Sequence, residues 1–239
     1  MSDRPLIIDL FSCAGGAAMG YHRAGFDVVG VDIVDRPNYP FTFVKADALD
    51  VLTNIVSGYW GLRPDAVHAS PPCQKRNPLT KGTNRLTHEH LHHDFVPGTR
   101  TLLEASGLPY VIEQPAGSKA IREDLMLCMD MFKSGPPPWG FRHRVFEISG
   151  FTVPPPAHHR HSGRVRGWRH GVKYAGDYVA AYGRDGKGLH SGGGKATVAE
   201  MQHAMGIGWT SVREELTEAI PPAYTEYIGR ALMSRVRAA

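Results

Sequence analysis

A doubly wound α/β fold with a mostly parallel sheet is what this sequence predicts, and three features predict it. Short apolar, β-compatible runs alternate with helix-compatible stretches from the N-terminus to about residue 148, the order that lays helices on both faces of a parallel sheet. A run of small residues from Ser12 to Gly20 follows the first apolar run directly, where a tight turn into a helix needs them. The next two apolar runs each carry an aspartate at or just past their ends, Asp32 and Asp47. Strand tips are where such sheets hold ligand-contacting groups.

Taken in order, Pro5-Leu6-Ile7-Ile8-Asp9-Leu10-Phe11 reads as the first strand, and Ser12-Cys13-Ala14-Gly15-Gly16-Ala17-Ala18-Met19-Gly20 as the turn and the start of a helix reaching Ala24. Small side chains let the backbone there approach a ligand at the helix N-terminus. Phe26 to Ile33 supplies the second strand, and a carboxylate at the tip, Asp32, suits the two hydroxyls of a ribose. The third strand, Phe41 to Lys45, runs into Ala46-Asp47-Ala48, bringing another acid within reach of an adenine amino group. Ala66-Val67-His68-Ala69 is a short buried strand that ends in Ser70-Pro71-Pro72-Cys73-Gln74. Prolines cannot continue a ladder, so the chain leaves the sheet at a fixed angle and presents the Cys73 thiol at its edge. A helix over Thr99 to Ser106, stopped by Gly107, feeds the strand Tyr110-Val111-Ile112 that carries Glu113, and a further strand runs from Arg144 to Ile148.

After that strand the composition changes. Pro154-Pro155-Pro156 breaks regular structure, and His, Arg and Gly dominate as far as Ser191-Gly192-Gly193-Gly194. Between Ser149 and Lys195 eight Lys or Arg face two acids, a local +6 that leaves the rest of the chain at −2 of its +4 total. Such a patch predicts a polyanion partner. Helical signals resume at Thr197-Val198-Ala199-Glu200, which has capping-box spacing, with Met201, Met205 and Ile207 as an apolar face. A last helix opens at Pro221-Pro222 and repeats apolar residues at Tyr224, Tyr227, Ile228, Ala231 and Leu232. The expected organisation is a core over 1–148, a small insert over 149–195, and a C-terminal segment over 196–239 that returns to the core.

The 239 residues, 42% of them hydrophobic, suffice for a sizeable core. No apolar run has the length of a membrane span, and Met1-Ser2-Asp3-Arg4 does not open a signal peptide. Three cysteines, Cys13, Cys73 and Cys128, form an odd set without metal-ligand spacing, which argues against a disulfide scaffold. These features predict a cytoplasmic protein in which a reactive thiol stays reduced.

The motifs resemble those of the cytosine C5 DNA methyltransferases. Asp9-Leu10-Phe11-Ser12-Cys13-Ala14-Gly15-Gly16 matches the family's opening signature apart from Cys13, and Pro72-Cys73-Gln74 its nucleophile motif. Glu113-Gln114-Pro115 approximates its Glu-Asn-Val motif, Arg142-His143-Arg144 its paired arginines, and Thr217-Glu218-Ala219-Ile220-Pro221-Pro222 its closing segment. All occur in the family's order from residue 5 to about 234. The resemblance implies a Rossmann-like, S-adenosylmethionine-dependent methyltransferase fold whose last helix packs back on the first strands. It implies Asp9, Phe11, Ser12, Cys13, Ala14, Gly15, Gly16, Asp32, Ile33, Asp47, Ala48, Pro71, Glu218 and Ala219 as cofactor contacts. It also implies a monomer acting on double-stranded DNA in a bacterium or a phage-infected host, with a cognate restriction endonuclease as a candidate partner.

Cytosine C5 is a poor nucleophile. Addition of a thiolate at C6 turns the ring into an enamine, and cysteine combines nucleophilicity with easy departure. Cys73 is therefore the expected nucleophile, Glu113 the group that holds N3 and the exocyclic amine, and Arg142 and Arg144 the pair that orients base and phosphate, with Arg142 nearer the ring. The target base must leave its stack. Gln74, Lys75, Arg76, Lys81 and Arg85 after the nucleophile, and Arg160, Arg164, Arg166, Arg169 and Lys173 in the insert, are expected to contact nucleic acid. The insert's cations are expected to have no acid nearby. Glu218, where the family has asparagine, is expected to pair with an arginine such as Arg142. Gly140 stands where the paired-arginine motif has a glutamine, and Asn77 near the place of a family serine.

Two histidine-rich stretches raise metal chemistry. His88-Glu89-His90-Leu91-His92 satisfies H-E-x-x-H, a pattern that needs a helix and a third ligand. His158-His159-Arg160-His161 reads as a tract facing solvent or phosphate. No metal site is expected. Alternatives to DNA methylation stay open: methylation of RNA, transfer of a different one-carbon group to C5, or a DNA-binding homologue without activity.

Overall fold

The structure is a computed structural model that describes residues 3–72, 94–158, 161, 163–169, 172–181 and 196–238. Its chain order is β1 (Leu6–Leu10), α1 (Gly16–Arg23), β2 (Asp27–Asp32), β3 (Thr42–Lys45), α2 (Ala48–Val56), β4 (Ala66–Ala69), α3 (Phe95–Ser106), β5 (Tyr110–Pro115) and β6 (Leu125–Cys128). A 3₁₀ turn (Met129–Phe132) leads to β7 (Trp139–Gly140), β8 (His143–Ser149), β9 (Gly167–Arg169), β10 (Val172–Tyr174), β11 (Tyr178–Val179), α4 (Val198–Met205), α5 (Arg213–Glu218) and α6 (Pro222–Arg237). Seven strands form one sheet in the order β3-β2-β1-β4-β5-β8-β6. The five strands from β3 to β5 run parallel, while β8 pairs antiparallel with both β5 and β6. The doubly wound, mostly parallel fold that the sequence predicts is the fold found.

Strand order reverses between β1 and β4, the position at which such sheets open a crevice beyond their carboxyl ends. Ser70 N donates to Leu10 O (3.1 Å), and Ser12 N to Val31 O (3.1 Å), so the exits of β4, β1 and β2 are tied together. One core packs Tyr21, Phe26, Tyr224, Ile228 and Leu232 against Ile7, Val111 and Phe146. The other packs Val51, Leu52 and Leu103 against Ile8, Leu10 and Ile112. A third, smaller cluster joins Val179 to Met201, Met205, Ile207 and Leu216.

The two chain ends meet because glycines let them. A Cβ on Gly16 would lie 2.1 Å from Ile220 O, and one on Gly20 2.2 Å from Pro222 O. Thr225 Oγ1 closes the contact by donating to Ala17 O (2.8 Å). Helix α4 begins with the expected capping box, Thr197 Oγ1 accepting from Glu200 N and Glu200 Oε2 from Thr197 N. Strand β11 returns to pair with β7 in parallel, so the segment after β8 is anchored to the body of the protein at residues 178–179. No helix among the described residues is long and apolar enough to cross a membrane.

Candidate active site

The turn after β1 is built from backbone conformation. Phe11 (φ 56°) and Cys13 (φ 47°) both sit in the left-handed region, which costs a residue with a Cβ energy that glycine avoids. Cys13 thus holds the conformation that suits a glycine at its place in the signature. Gly15 follows with φ 77°, and a Cβ there would meet Pro40 Cδ at 2.8 Å. Asp32 knits this turn to β2. Its Oδ2 accepts from Cys13 N (3.0 Å) and Arg36 Nε (3.2 Å), and its Oδ1 from Val34 N (2.9 Å). A carboxylate has about four acceptor positions, so one stays open on Oδ1.

Ile33, next in the chain, is 65% exposed, an apolar surface beside a polar one. Asp47 uses Oδ1 to cap α2 at Leu49 N (2.7 Å) and Asp50 N (3.3 Å), with Ala48 opening that helix. Asp9 is fully buried, accepts from Tyr39 Oη (3.3 Å), and is pushed well above the ordinary carboxylate range by burial. Ser12 Oγ is buried with no hydrogen-bond partner among the described residues. Ala14 O accepts from Trp209 Nε1 (2.7 Å), and Ala219 is buried against Gly16. The open acceptor position on Asp32 and the exposed Ile33 beside it could hold a polar ligand with an aromatic base, over a buried Ser12 hydroxyl that has no partner among the described residues.

A second group of residues stands on β5 and β8. Glu113 lies opposite Phe146 in the ladder, so Arg144, two residues away on β8, shares its face. Arg144 Nε lies 2.5 Å from Glu113 Oε1. Burial nevertheless raises the Glu113 carboxyl above its ordinary value, against the lowering pull of Arg144 and Arg142. Gln114, the next residue, is buried and its Nε2 donates to Pro71 O (2.6 Å). The strand that carries the acid therefore grips the backbone two residues before Cys73. Cys73, Gln74, Lys75, Arg76, Lys81, Arg85 and the H-E-x-x-H stretch lie outside the described residues.

Arg142 departs from expectation. It is 3% exposed, and its guanidinium donates to three carbonyls, those of Ala181, Thr217 (2.9 Å) and Glu218 (3.4 Å), while its own carbonyl accepts from Tyr224 Oη (2.6 Å). Burial, then Arg144, lowers its pKa to about 9. Arg144 rather than Arg142 meets the acid, because Arg142 is committed to binding the closing segment and the insert, at Ala181, to the start of β8. Glu218 does not form the expected ion pair with Arg142. Its side chain is exposed, and Oε2 lies 3.7 Å from Cys13 Sγ. An exposed carboxylate keeps its hydration, which removes the need for a partner.

No model of a known protein family matches the chain. Over 164 residues it is 27% identical to the type II methyltransferase M.XorII of Xanthomonas oryzae pv. oryzae, a match covering 63% of this chain and 38% of that relative's length. By fold it is similar to a DNA modification methyltransferase encoded within an E. coli prophage (TM-score 0.58, 16% identity, 98% of this chain and 99% of that one). It is also similar to Spodoptera frugiperda DNMT2 (TM-score 0.61, 12% identity, 95% and 99%) and to S. pombe Dnmt2 (TM-score 0.59, 15% identity, 97% and 99%). The chain has a methyltransferase fold. The family resemblance that the motifs carry is in keeping with a sequence relative that is a type II methyltransferase and with the fold of these structures.

On this methyltransferase fold the insert's cations divide. Arg160 lies outside the described residues, as do the side chains of Arg169 in β9 and Lys173 in β10. Arg164 is exposed. Arg166 is ion-paired with Glu200, which corrects the expectation that the cluster has no acid nearby. The capping glutamate of α4 is distant in sequence and adjacent in space.

Sequence reading missed Gln114 as a clamp on Pro71, Arg36 on Asp32, and His68. His68 is fully buried between Tyr21 Oη (3.0 Å) and Ser70 Oγ (2.9 Å), and burial lowers it to about 3. It is a neutral prop under the Ser70-Pro71-Pro72 exit. The replacement of an expected asparagine by Gln114 was the one visible signal, since the longer side chain needs a partner farther away.

Proposed function

We propose that this protein is an S-adenosylmethionine-dependent methyltransferase that modifies DNA at C5 of cytosine, through a Cys73 adduct at C6 of a flipped-out base. The observation that carries this reading is the joint placement of a carboxyl raised by burial, Glu113, its partner Arg144, and the Gln114 hold on Pro71 immediately before Pro72-Cys73. The turn from Asp9 to Gly16 and Asp32 would hold the cofactor, with Ser12 Oγ and the open Asp32 position facing its polar groups. S-adenosylmethionine, when bound, supplies an electrophilic methyl group.

The chain's own residues do the rest. Glu113, whose carboxyl burial raises above its ordinary value, shares a proton with N3 and offsets charge as the Cys73 sulfur bonds to C6 and the C5–C6 π electrons become available at C5. Arg144 keeps the carboxyl in place. After methylation a base takes the C5 proton, the C6–S bond breaks, and the thiolate leaves with its electron pair. Segment 149–195, with Arg164 exposed, would read the duplex.

Mass spectrometry of nucleosides from DNA and RNA incubated with protein and S-adenosylmethionine tests the proposal. 5-Methylcytosine in DNA is expected. Its appearance only in RNA, or a different C5 substituent, would replace the substrate or the transferred group. A Cys73→Ser variant that still methylates at the wild-type rate would overturn the covalent route.

A further inference from the structure

Four side chains that the proposed reaction does not use converge on one point at the far edge of the sheet. Cys128 ends β6 and His143 begins β8, and the two residues are direct partners across the antiparallel ladder. His158 and His161 arrive from the segment after β8. Cys128 Sγ lies 3.2 Å from His161 Nε2, and His158 Nε2 lies 3.1 Å from the same atom. One candidate ligand atom from each of the four residues falls within 4.8 Å of the others.

Hydrogen bonding accounts poorly for this arrangement. An imidazole nitrogen carries either one proton or one lone pair, so His161 Nε2 can serve only one of its two close neighbours well. A cation at the centre would take a lone pair from each. With Zn–N near ~2.0 Å and Zn–S near ~2.3 Å, tetrahedral geometry separates the nitrogens by about 3.3 Å and nitrogen from sulfur by about 3.5 Å. The two shortest separations stand a few tenths of an ångström from those values.

The surroundings are those of a metal ligand set. Cys128 Sγ accepts from Asp130 N (3.5 Å) as the cap of the 3₁₀ turn, which fixes the sulfur's position. Phe141 meets His161 edge-on with ring centroids 4.8 Å apart, and Tyr178 stands 6.0 Å from it, two rings that hold this imidazole in place.

We infer that Cys128, His143, His158 and His161 bind one zinc ion as a closed, four-coordinate structural site. One thiolate and three imidazoles suit zinc, and a full set of protein ligands leaves no position for a reacting water. The spacing, fourteen residues between Cys128 and His143, fourteen between His143 and His158 and two between His158 and His161, matches no common zinc pattern. Only the fold assembles it. The site would fasten the start of the basic segment to the edge strands β6 and β8, at the opposite end of that segment from the β11–β7 pairing.

The test is metal analysis of untagged full-length protein, purified without chelator, beside the variant His158→Ala/His161→Ala. His158 is exposed and its loss does not threaten the core, whereas Cys128→Ser alone could unfold the edge. About one zinc per chain is expected in the wild type, and background in the double variant. Cobalt exchanged into the protein should give a thiolate-to-cobalt charge-transfer band, and peptide mapping should show Cys128 shielded from alkylation until the metal is stripped. No zinc in the wild type and no uptake from added zinc sulfate would overturn the site. So would zinc retained by the double variant, zinc lost instead from His88→Ala/His92→Ala, or a cobalt spectrum without thiolate character.

Discussion

The two ends of the crevice are built on different principles. At the β1–β2 end the working parts are backbone: two residues in the left-handed region, glycines that admit Tyr39, Pro40 and Ile220, and an aspartate whose oxygens accept main-chain N–H groups. At the β5–β8 end they are buried charges: Glu113 and Arg142 each have a pKa moved by the other and by Arg144. Substitutions at the first end act through shape and φ. At the second they act through protonation and stranded partners. The difference is visible inside a single motif, where Arg142 is spent on carbonyls and Arg144, two residues on, on a carboxylate.

The sharpest way to break the comparison is to exchange those arginines for alanine in turn. Arg142→Ala leaves the carbonyls of Ala181, Thr217 and Glu218 without their donor, and hydrogen bonds to charged groups contribute about 1.5 to 3 kcal/mol each before relaxation. A loss of about 3 kcal/mol or more in unfolding free energy is expected, measured as a fall in the urea midpoint at constant m. Arg144→Ala should cost clearly less stability and strike turnover instead. Equal losses in the two variants would mean that the buried charges form one structural unit.

At the other end, Asp32→Ala removes an acceptor for Cys13 N, Val34 N and Arg36 as well as for a ribose. Cofactor affinity should fall at least about tenfold, the equivalent of roughly 1.4 kcal/mol or more. Calorimetric titration with S-adenosylmethionine measures it, and unchanged affinity would move the cofactor away from the β2 tip. Arg36→Ala refines the result. It frees the carboxylate from its i,i+4 partner, and should change affinity much less than loss of the carboxylate.

A finer probe is pH. The folded state raises the Glu113 pKa above its ordinary value, so the folded protein binds the proton more tightly than the unfolded chain does. Stability from this group is complete below the ordinary carboxylate range and is lost as pH rises through the raised value. Glu113→Gln, neutral at every pH, should lack that decline. Against the wild type it should gain stability between acid and neutral pH, while turnover is lost because the amide cannot hand over a proton. Parallel stability profiles for the two proteins would show that Arg144 cancels the burial.

Much of this was legible before any coordinates. Strand positions follow from apolar runs, the α4 cap from Thr197 and Glu200, and helix α6 from its apolar repeat and opening prolines, while its return to the first strands is what the family resemblance implies. Helix α3 begins at Phe95, four residues before the Thr99 expected, because Asp94 caps it through Val96 N (3.3 Å) and Pro97 is tolerated in a first turn. What could not be read were pairings across sequence distance. Arg166 with Glu200, Gln114 with Pro71, and Cys128 with His143 each depend on strand register or on a returning chain. Composition makes His158 and His161 look solvated; His158 is exposed, but the fold sets His161 3.2 Å from the buried Cys128 sulfur. The division of labour between Arg142 and Arg144 was equally hidden, since alternation puts both on one face and only the third dimension shows which one carbonyls surround.

The smallest expected effect sits at Cys13. A residue with a Cβ at φ 47° is strained by roughly 1 to 2 kcal/mol, whereas glycine adopts the conformation freely but loses about 0.5 to 1 kcal/mol more backbone entropy on folding. Cys13→Gly should therefore stabilise the protein slightly, by about 0.5 kcal/mol, seen as a small rise in the urea midpoint. Cys13→Ala separates the causes, because it removes the thiol, whose pKa burial pushes up to about 12, and keeps the strain. A gain with glycine and none with alanine would place the cost in the backbone. A gain with alanine as large as with glycine would assign it to the buried sulfur and its contact with Glu218, and the β1–β2 end would then depend on side-chain chemistry after all.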